Sequence, residues 1–299
     1  MKPINRSKLS LLLVLLSVLL STFVTGCSEP KSNRKMPSVL KIGILPDQGR
    51  EALLKRYTPL FTYLSEKLDR PYEVVIPESY ADLLALYGEK KIDIAYFGGY
   101  TFIQANEKFQ AKAVVMRDVD VRFNSYFIAR GNSNLGNISD YKGKKFAFGS
   151  KLSTSGHLMP RYFLQKKNIN PEQFFDKIEY AGSHDKTAMM VQNGFVDIGV
   201  ANSKIIKMMF EDGRLNKDLV TVIWETPPYP DYVWAAQFDF EPSVIIKIRD
   251  AFLSLSPLDQ KHVRILSKID AGGFLPASRS DFSRLAEIAE NLGLVKTTD

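Results

Sequence analysis

The sequence has little of the residue types that most enzymes use for covalent or metal chemistry. Its 299 residues include one cysteine and three histidines. A single cysteine cannot form a disulfide within the chain, and no group of histidine, cysteine and acidic residues has the spacing of metal ligands. The nucleophile-elbow, phosphate-loop and dinucleotide-binding glycine patterns are also missing. These absences predict a protein that is not an enzyme and uses neither a metal nor another cofactor.

Positive charge is in modest excess and is not concentrated in one segment. The net charge is +7, and Lys2, Arg6 and Lys8 supply three of these charges at the N-terminus. The remainder contains no run or stripe of lysine and arginine, so a nucleic-acid partner is not expected. The length and the 45% hydrophobic content suit two domains of moderate size, each with its own core.

The N-terminal residues have the pattern of an export signal. The basic start precedes an apolar stretch at residues 11–20, and Val-Thr-Gly at 24–26 leads into Cys27. We interpret 1–26 as a secretory signal peptide. The residues up to Cys27 resemble a bacterial lipobox, in which this cysteine is lipidated and becomes the new N-terminus. The alternative is an uncleaved anchor helix, because residues 9–26 are uncharged and barely long enough to span a bilayer.

The lipobox interpretation determines where the mature protein lies. Residues 27–38 comprise the lipidated Cys27 and a polar stretch with two prolines, so we expect a flexible tether there. The mature chain has no free thiol left for catalysis or metal binding. We expect an exported protein, anchored in a membrane by its lipid and facing the periplasm or the cell exterior.

From residue 39 onward, strand-like and helix-like patterns alternate. Short apolar runs at 39–45, 72–76 and 92–97 are typical of buried strands, and helical spacing is found at 50–68 and 80–87. Strands that alternate with helices in this way are typical of a sheet whose strands run largely parallel. The pattern therefore predicts an α/β fold.

A short internal echo indicates two lobes of similar construction. Ile-Asp-Ile at 92–94 recurs as Val-Asp-Ile at 196–198, each time after a predicted helix that ends in glycine. We predict the first part of lobe 1 at 39–126, lobe 2 at 127–225, and a return at 226–299 that provides a hinge and the C-terminal helices of lobe 1. Two crossings between lobes would create a hinged cleft, with the ligand at the carboxyl ends of the strands.

One stretch has the chemistry of an anion-binding site. A predicted strand at 145–148 is followed by Ser153, Thr154, Ser155 and Gly156, where a helix begins. Backbone N–H groups and hydroxyls at a helix N-terminus attract an oxyanion without supplying a counter-charge. The alternative is an ordinary serine or threonine N-cap. Three consecutive hydroxyls exceed what a cap needs, so we favour the oxyanion site.

Two further strand ends are candidates for the same site. The motif Gly-Ser-His-Asp at 182–185 also runs from a strand into a helix, and His184 could donate to an anionic oxygen. Tyr96 precedes Gly98 and Gly99, which would let the backbone approach a ligand closely. Taken alone, His184 could equally be a capping residue and the two glycines a tight turn.

These motifs together resemble the phosphate/phosphite/phosphonate-binding proteins of ABC transporters, the PhnD-like family. The resemblance covers roughly residues 39–255 and depends on the order and spacing of five motifs. They are Glu78-Ser79-Tyr80, residues 92–98, residues 141–148, Ser153-Thr154-Ser155-Gly156 and Gly182-Ser183-His184-Asp185. The resemblance implies a type II periplasmic-binding fold, in which two α/β lobes close around the ligand in a hinged cleft.

The resemblance also implies roles for individual residues. The ligand oxygens would be held by Ser153, Thr154, Ser155 and His184, with contributions from Gly156 and from the tyrosines Tyr80, Tyr96 and Tyr126. Tyr80 and Tyr126 would reach the ligand from the first lobe. Family members that bind aminoethylphosphonate use two acids for its amine. One matches Asp231, and the other falls within 201–203, where this sequence has no acid. This departure argues against aminoethylphosphonate.

The sequence therefore predicts a substrate-binding lipoprotein of an ABC importer that captures a small phosphorus oxyanion, namely a phosphonate, phosphite or phosphate. Its partners would be this ligand, the transporter permease and the membrane, and we expect a monomer. Two alternatives remain open. One is a receptor for another anionic nutrient, such as a sulfonate or a thiamine precursor, and the other is a ligand-sensing module for a membrane kinase.

Overall fold

The computed structural model describes residues 33–131 and 137–295. The predicted signal peptide at 1–26 and the predicted lipidation site Cys27 lie outside the described residues. Within the described ranges, no helix is both long enough and apolar enough to cross a membrane.

Lobe 1 is built on a six-stranded mixed sheet. The strands in chain order are β1 Leu40–Ile44, β2 Tyr72–Val75, β3 Ile94–Phe97, β4 Lys112–Arg117, β10 Val233–Ala236 and β11 Phe274–Pro276. Across the sheet the order is β11-β4-β10-β3-β1-β2. Strand β1 runs parallel to β2 and β3, whereas β10 is antiparallel to β3 and β4. The strands of this sheet are rich in Ile, Val and aromatic residues, as expected for a sheet covered on both faces.

Lobe 2 is built on a five-stranded mixed sheet. Its strands are β5 Ser125–Arg130, β6 Lys145–Phe148, β7 Lys177–Tyr180, β8 Ile198–Asn202 and β9 Val220–Glu225. Their order across the sheet is β7-β6-β8-β5-β9. Strand β6 is parallel to β7 and β8, and β5 is antiparallel to β8 and β9. The two sheets together form the two-lobed α/β architecture that the sequence predicted.

Helices cover both sheets. In lobe 1 they are α1 Arg50–Leu68, α2 Tyr80–Gly88, α3 Gly99–Phe109, α8 Pro242–Leu253, α9 Gln260–Lys268 and α10 Ser283–Asn291. In lobe 2 they are α4 Met159–Lys166, α5 Pro171–Phe174, α6 His184–Gln192 and α7 Ser203–Glu211. Short 3-10 turns occur at Asp118–Asp120, Ile138–Tyr141 and Arg279–Phe282, and a π-helical turn at Thr154–Leu158 leads into α4. The helices after the return from lobe 2 pack on the core of lobe 1.

The chain crosses between the lobes twice, and the two crossing segments pair with each other. Phe123 and Tyr229 form an antiparallel bridge, with N–H to O distances of 2.7 and 2.9 Å. Strand β5 already begins at Ser125, which pairs with Asn202 of lobe 2. The predicted boundary after residue 126 therefore falls inside a strand of lobe 2. The strand begins earlier because its ladder starts at the crossing itself.

The end of the predicted tether is attached to lobe 1. The Arg34 N–H donates to the Asp239 carbonyl at 2.8 Å, and the Glu241 N–H donates to the Arg34 carbonyl at 2.9 Å. The Arg34 guanidinium pairs with the carboxylates of Asp93 and Asp239. The prediction of a free tether up to residue 38 is therefore wrong from Arg34 onward, because these bonds make Arg34 part of the lobe.

Candidate anion-binding site between the lobes

The serine–threonine loop of lobe 2 is a compact turn. The Ser153 hydroxyl accepts the Gly156 N–H at 2.9 Å and caps the π-helical turn. A Cβ on Gly156 would lie 3.0 Å from Ser153 Oγ, 3.1 Å from Gly149 Cα and 3.1 Å from His184 Cε1. Only glycine fits this position without displacing its neighbours, so the loop and the imidazole of His184 are in contact.

The hydroxyls of this loop differ in their partners. Ser153 accepts a bond as a cap but can still donate its own hydrogen. Thr154 Oγ1 accepts the Tyr100 N–H of lobe 1 at 2.9 Å. The Ser155 side chain is buried, and its Oγ makes no hydrogen bond of normal length within the described residues, although it lies near the Asp231 carboxyl. Ser155 is therefore the hydroxyl of the loop that is most available to a ligand.

His184 is a neutral donor. Its ring is fully buried, and the Asn202 N–H donates to Nδ1 at 3.2 Å. This contact assigns the hydrogen of the neutral ring to Nε2, which lies 3.5 Å from the Tyr232 hydroxyl. Burial lowers the pKa of His184 to about 4, so the ring is uncharged at neutral pH.

Lobe 1 contributes tyrosines to the same cleft. Tyr80 is the first residue of α2, and Tyr96 lies in β3; both side chains are buried. Neither hydroxyl makes a hydrogen bond of normal length within the described residues, although Tyr80 lies near Ser153 and Tyr96 near Tyr57. Burial, with the neighbouring Asp47 carboxylate, raises the pKa of Tyr80 well above its ordinary value. Tyr80 therefore stays protonated and can donate. Tyr96 stacks on Tyr232 with ring centroids 5.1 Å apart.

Asp231 is a buried carboxylate beside the loop. Its Oδ1 accepts the Gly99 N–H at 3.0 Å, whereas its Oδ2 has no partner within the described residues. A Cβ on Gly98 would lie 3.3 Å from Thr154 Oγ1 and 3.4 Å from Asp231 Oδ1, so these two side chains meet at this glycine. Burial raises the pKa of Asp231 to about 7, and hydrogen bonds from Thr154 and Gly99 offset this only in part.

A second buried carboxylate was not predicted from the sequence. Asp47 follows β1, and its Oδ2 accepts the Tyr232 hydroxyl at 2.8 Å. Its Oδ1 is unpartnered within the described residues, and burial raises its pKa to about 6. The Tyr232 oxygen also accepts the side-chain amide of Asn202 at 2.9 Å. The available signal was position: a polar residue directly after a buried parallel strand faces the ligand edge of the sheet.

Tyr126 lies in lobe 2 and not in the first lobe. It lies on β5 of lobe 2 and packs into the core beneath α6 and α7, with the Lys207 ammonium 5.3 Å from its ring centroid. The prediction that it reaches the ligand from the first lobe is wrong. Successive side chains of a strand point to opposite faces, and Ser125 takes the other face. Its hydroxyl donates to the Ser155 carbonyl at 2.7 Å.

Direct hydrogen bonds between the lobes close the cleft. The His184 N–H donates to the Asp47 carbonyl at 2.9 Å, and the Gly49 N–H donates to Asp185 Oδ2 at 2.8 Å. Thr101 donates to the Leu152 carbonyl at 2.9 Å. These bonds bring together the loop of lobe 2, the strand ends of lobe 1 and the start of α6.

The residues described above provide neutral hydrogen-bond donors and two carboxyls. None of these residues is an unpaired cation. Arg117 lies 5.7 Å from the ring centroids of Tyr96 and Tyr232. Its guanidinium is held by Asp120 through bonds of 2.7 and 2.6 Å. Across residues 33–131 and 137–295, no group of three or more histidine, cysteine or acidic side chains could hold a metal ion. Such a set of groups can form hydrogen bonds to an oxyanion.

Comparison with known proteins identifies the family. The family model described as "ABC transporter, phosphonate, periplasmic substrate-binding protein" matches residues 42–282. The chain belongs to this family. This periplasmic receptor is therefore the solute-binding component of an ABC transport system and not an enzyme, as the sequence analysis predicted.

Individual relatives agree with this assignment. The receptor is 31% identical over 272 residues to the probable ABC transporter phosphite binding protein PhnD1 of Prochlorococcus marinus (strain MIT 9301), covering 87% of this chain and 92% of the relative. The structure of that protein in complex with methylphosphonate is similar with a TM-score of 0.80 at 29% identity, covering 87% of this chain and 100% of the other. The phosphate-import protein PhnD of Mycolicibacterium smegmatis is 26% identical, covering 78% of each chain. The predicted two-lobed periplasmic-binding fold is confirmed.

Proposed function

We propose that this receptor captures a small phosphorus oxyanion, such as phosphite, methylphosphonate or phosphate, in a form that carries one proton. The observation that supports this proposal is that buried hydrogen-bond donors and a buried acceptor lie together in one closed cleft. The Ser155 and Tyr80 hydroxyls are buried donors and Asp231 Oδ2 is a buried acceptor. None of the three makes a hydrogen bond of normal length within the described residues, although Ser155 lies near the Asp231 carboxyl and Ser153 near Tyr80. Buried polar groups left unpaired cost about 1–3 kcal/mol each. A protonated oxyanion would satisfy donors and acceptor together.

The proton is required by electrostatics. An anionic oxygen beside an ionised carboxylate is strongly repelled in a buried site, because the interior screens charge weakly. One proton shared between the ligand and Asp231 converts this repulsion into a hydrogen bond. The pKa of Asp231, about 7, lets this sharing occur near neutral pH. Sulfate is fully ionised at neutral pH and brings no proton of its own, so it could bind only receptor in which Asp231 is already protonated and should bind less tightly.

The amide at Asn202 supports a small ligand over aminoethylphosphonate. The resemblance places a second amine-binding acid near this residue, where the receptor has Asn202. Its Nδ2 donates to Tyr232, and its Oδ1 accepts the Ile205 N–H at 3.0 Å. Both amide atoms therefore already form one bond each, and the uncharged amide would give an ammonium group no counter-charge. The names of the relatives, which mention phosphite, phosphate and methylphosphonate, support the same ligand class.

Calorimetric titration at several pH values tests the proposal. We expect phosphite, methylphosphonate or phosphate to bind roughly tenfold or more tightly than sulfate and aminoethylphosphonate at pH 7. Affinity should fall from pH 7 to 8.5, as Asp231 and the ligand lose the shared proton. In Asp231→Asn, which can donate to a fully ionised ligand, affinity at pH 8.5 should equal or exceed that of the wild type. Tightest binding of aminoethylphosphonate, selectively lost in Asp231→Asn, would instead make Asp231 an amine ligand.

We further propose that the receptor is a monomer anchored at Cys27 and that it delivers its ligand to the transporter permease. The lipobox-like residues before Cys27 and the export expected of this family support the anchor. In Cys27→Ser, the protein should appear in the soluble fraction or remain as uncut precursor. Palmitate labelling that persists in this variant would show that the lipid is attached elsewhere.

A further inference from the structure

A second groove lies between the lobes, on the outer side of α1 and α7. It has a volume of about 730 Å³ and a cationic lining from both lobes. We refer to it as the basic interlobe groove, defined by Arg50, Lys55, Arg56 and Lys268 of lobe 1 and Arg214 of lobe 2. The apolar side chains of Ala52 and Met208 contribute to its walls. The groove adjoins the ligand cleft, because Gly49 also lines it and the Arg56 charge acts on Asp47.

Positive charge in this groove is only partly neutralised. Two acids, Glu51 and Asp212, line it beside the five cations, which leaves three positive charges in excess. Arg214 is bound to Asp212 through contacts of 2.8 to 3.0 Å. Lys55 and Lys268 are exposed and form no ion pair within residues 33–131 and 137–295. A concentrated excess of one sign attracts a partner of the opposite sign.

The groove depends on the closed arrangement of the lobes. Helix α1 provides one wall and the end of α7 the other, so neither lobe forms it alone. At its margin, Lys204 of α7 pairs with Asp270, just after α9, at 2.9 Å. Separation of the lobes would break this ion pair and spread the cations apart. Any partner that requires the whole groove therefore distinguishes the closed receptor from the open one.

We propose that the basic interlobe groove is the docking site for an acidic segment of the transporter permease, which in this way recognises the closed receptor. Charge complementarity and the mixed lining favour a polypeptide, because carboxylates would meet the lysines while apolar side chains contact Ala52 and Met208. A small anion would meet exposed lysines, whose charges are well solvated. Single contacts of this kind contribute little in water, whereas several along one segment reinforce each other.

Charge reversal tests the proposal in the full, lipidated receptor. We compare Lys55→Glu/Lys268→Glu with Lys112→Glu/Lys142→Glu, which changes the same charge at exposed lysines outside the groove. The measurement is stimulation of the ATPase activity of the reconstituted transporter at saturating phosphite. The groove variant should require roughly tenfold more receptor for half-maximal stimulation, and the control variant should behave as the wild type. Phosphite affinity by calorimetry should be unchanged in both.

Three results would overturn the proposal. They are wild-type stimulation by the groove variant, an equal loss in both variants, and binding of tripolyphosphate that disappears only in the groove variant. The last result would make the groove a small-polyanion site. The neutral variant Lys55→Gln/Lys268→Gln guards against misfolding, and it should show a smaller loss in the same direction. Higher salt should reduce stimulation by the wild type more than by the groove variant.

Discussion

The two lobes contribute to the cleft in different ways. Lobe 2 supplies one contiguous loop, 153–156, and the helix start at His184. Lobe 1 supplies single side chains from separate strand and helix ends, namely Asp47, Tyr80, Tyr96 and Asp231. The conformation of a contiguous loop is determined by a short local sequence, so a homologous stretch of chain would form the same loop. The dispersed set exists only because the sheet of lobe 1 brings its strand ends to one edge.

The lobes also differ in charge. The loop of lobe 2 and the neutral ring of His184 offer hydrogen-bond donors, whereas both buried carboxyls, Asp47 and Asp231, come from lobe 1. This division predicts that lobe 2 determines how strongly the anion is held and that lobe 1 determines which protonation state is accepted. The following variants test the two halves of that statement separately.

The largest effect is expected in the loop of lobe 2. Ser155→Ala removes a donor that forms no hydrogen bond of normal length within residues 33–131 and 137–295. Affinity for phosphite should therefore fall roughly tenfold or more, the effect of one bond to a charged group. The melting temperature without ligand should not decrease. Ser153→Ala is the matched control, because loss of its capping bond to Gly156 should cost about 1 kcal/mol of stability. Unchanged affinity in Ser155→Ala would remove this hydroxyl from the site.

A smaller loss of affinity is expected at Tyr80 than at Ser155. The resemblance gave Tyr80 and Tyr126 the same role, and we expect their variants to differ. Tyr80→Phe deletes an unpartnered hydroxyl in the cleft, so phosphite affinity should fall several-fold, up to about tenfold. Tyr126→Phe changes a side chain that packs inside lobe 2 and should leave affinity unchanged. Calorimetry on both proteins gives the comparison. An equal loss in both variants would contradict the assignment of Tyr126 to the core.

The smallest effect concerns stability without ligand. The pKa of Asp231 is about 7 in the folded chain against an ordinary value of 3.8, so the folded state binds more protons between these values. The contribution of Asp231 to stability should therefore decrease as pH rises from about 4 to 7 and become level above that. The lowered pKa of His184 has the opposite effect on the wild type, so the Asp231 contribution is read from the difference between the wild type and Asp231→Asn. Asp231→Asn removes this contribution, so its melting temperature should exceed that of the wild type by a few degrees at pH 8 but hardly at pH 4. The exposed Asp218→Asn should show no such pH-dependent gap, and a gap of equal size there would contradict the prediction.

The loop of lobe 2 could be predicted from the sequence, whereas one of the two buried carboxyls of lobe 1 could not. The serine–threonine loop was recognisable because its chemistry is consecutive in the chain and lies where a strand gives way to a helix. Asp47 was missed because the apolar strand pattern ends at residue 45 and a lone aspartate after a proline looks like an ordinary turn. Only the register of β1 beside β3 shows that it lies next to Tyr232.

The sequence-based assignments of Tyr126 and Arg34 were wrong because each depends on tertiary contacts that the local sequence does not show. Tyr126 was assigned to lobe 1 because the strand of lobe 2 begins two residues earlier than its apolar pattern suggests. The earlier start places Tyr126 inside the sheet of lobe 2, where it pairs with Ala201 of β8. Arg34 was assigned to a flexible tether because its stretch is polar. Its partners Asp93 and Asp239 are far away in sequence, and local composition carries no trace of such contacts.

The attachment of Arg34 to lobe 1 has a geometric consequence for the proposed anchor. Seven residue steps separate Cys27 from Arg34, and a fully extended chain of that length reaches about 25 Å. A lipid at Cys27 would thus hold lobe 1 within one small-domain diameter of the bilayer. Lobe 2, which is joined to lobe 1 through the paired crossings at Phe123 and Tyr229, would then be the part that swings when the receptor opens. Lobe 1 would then stay in a fixed position relative to the membrane, and lobe 2 would move when the receptor opens and closes.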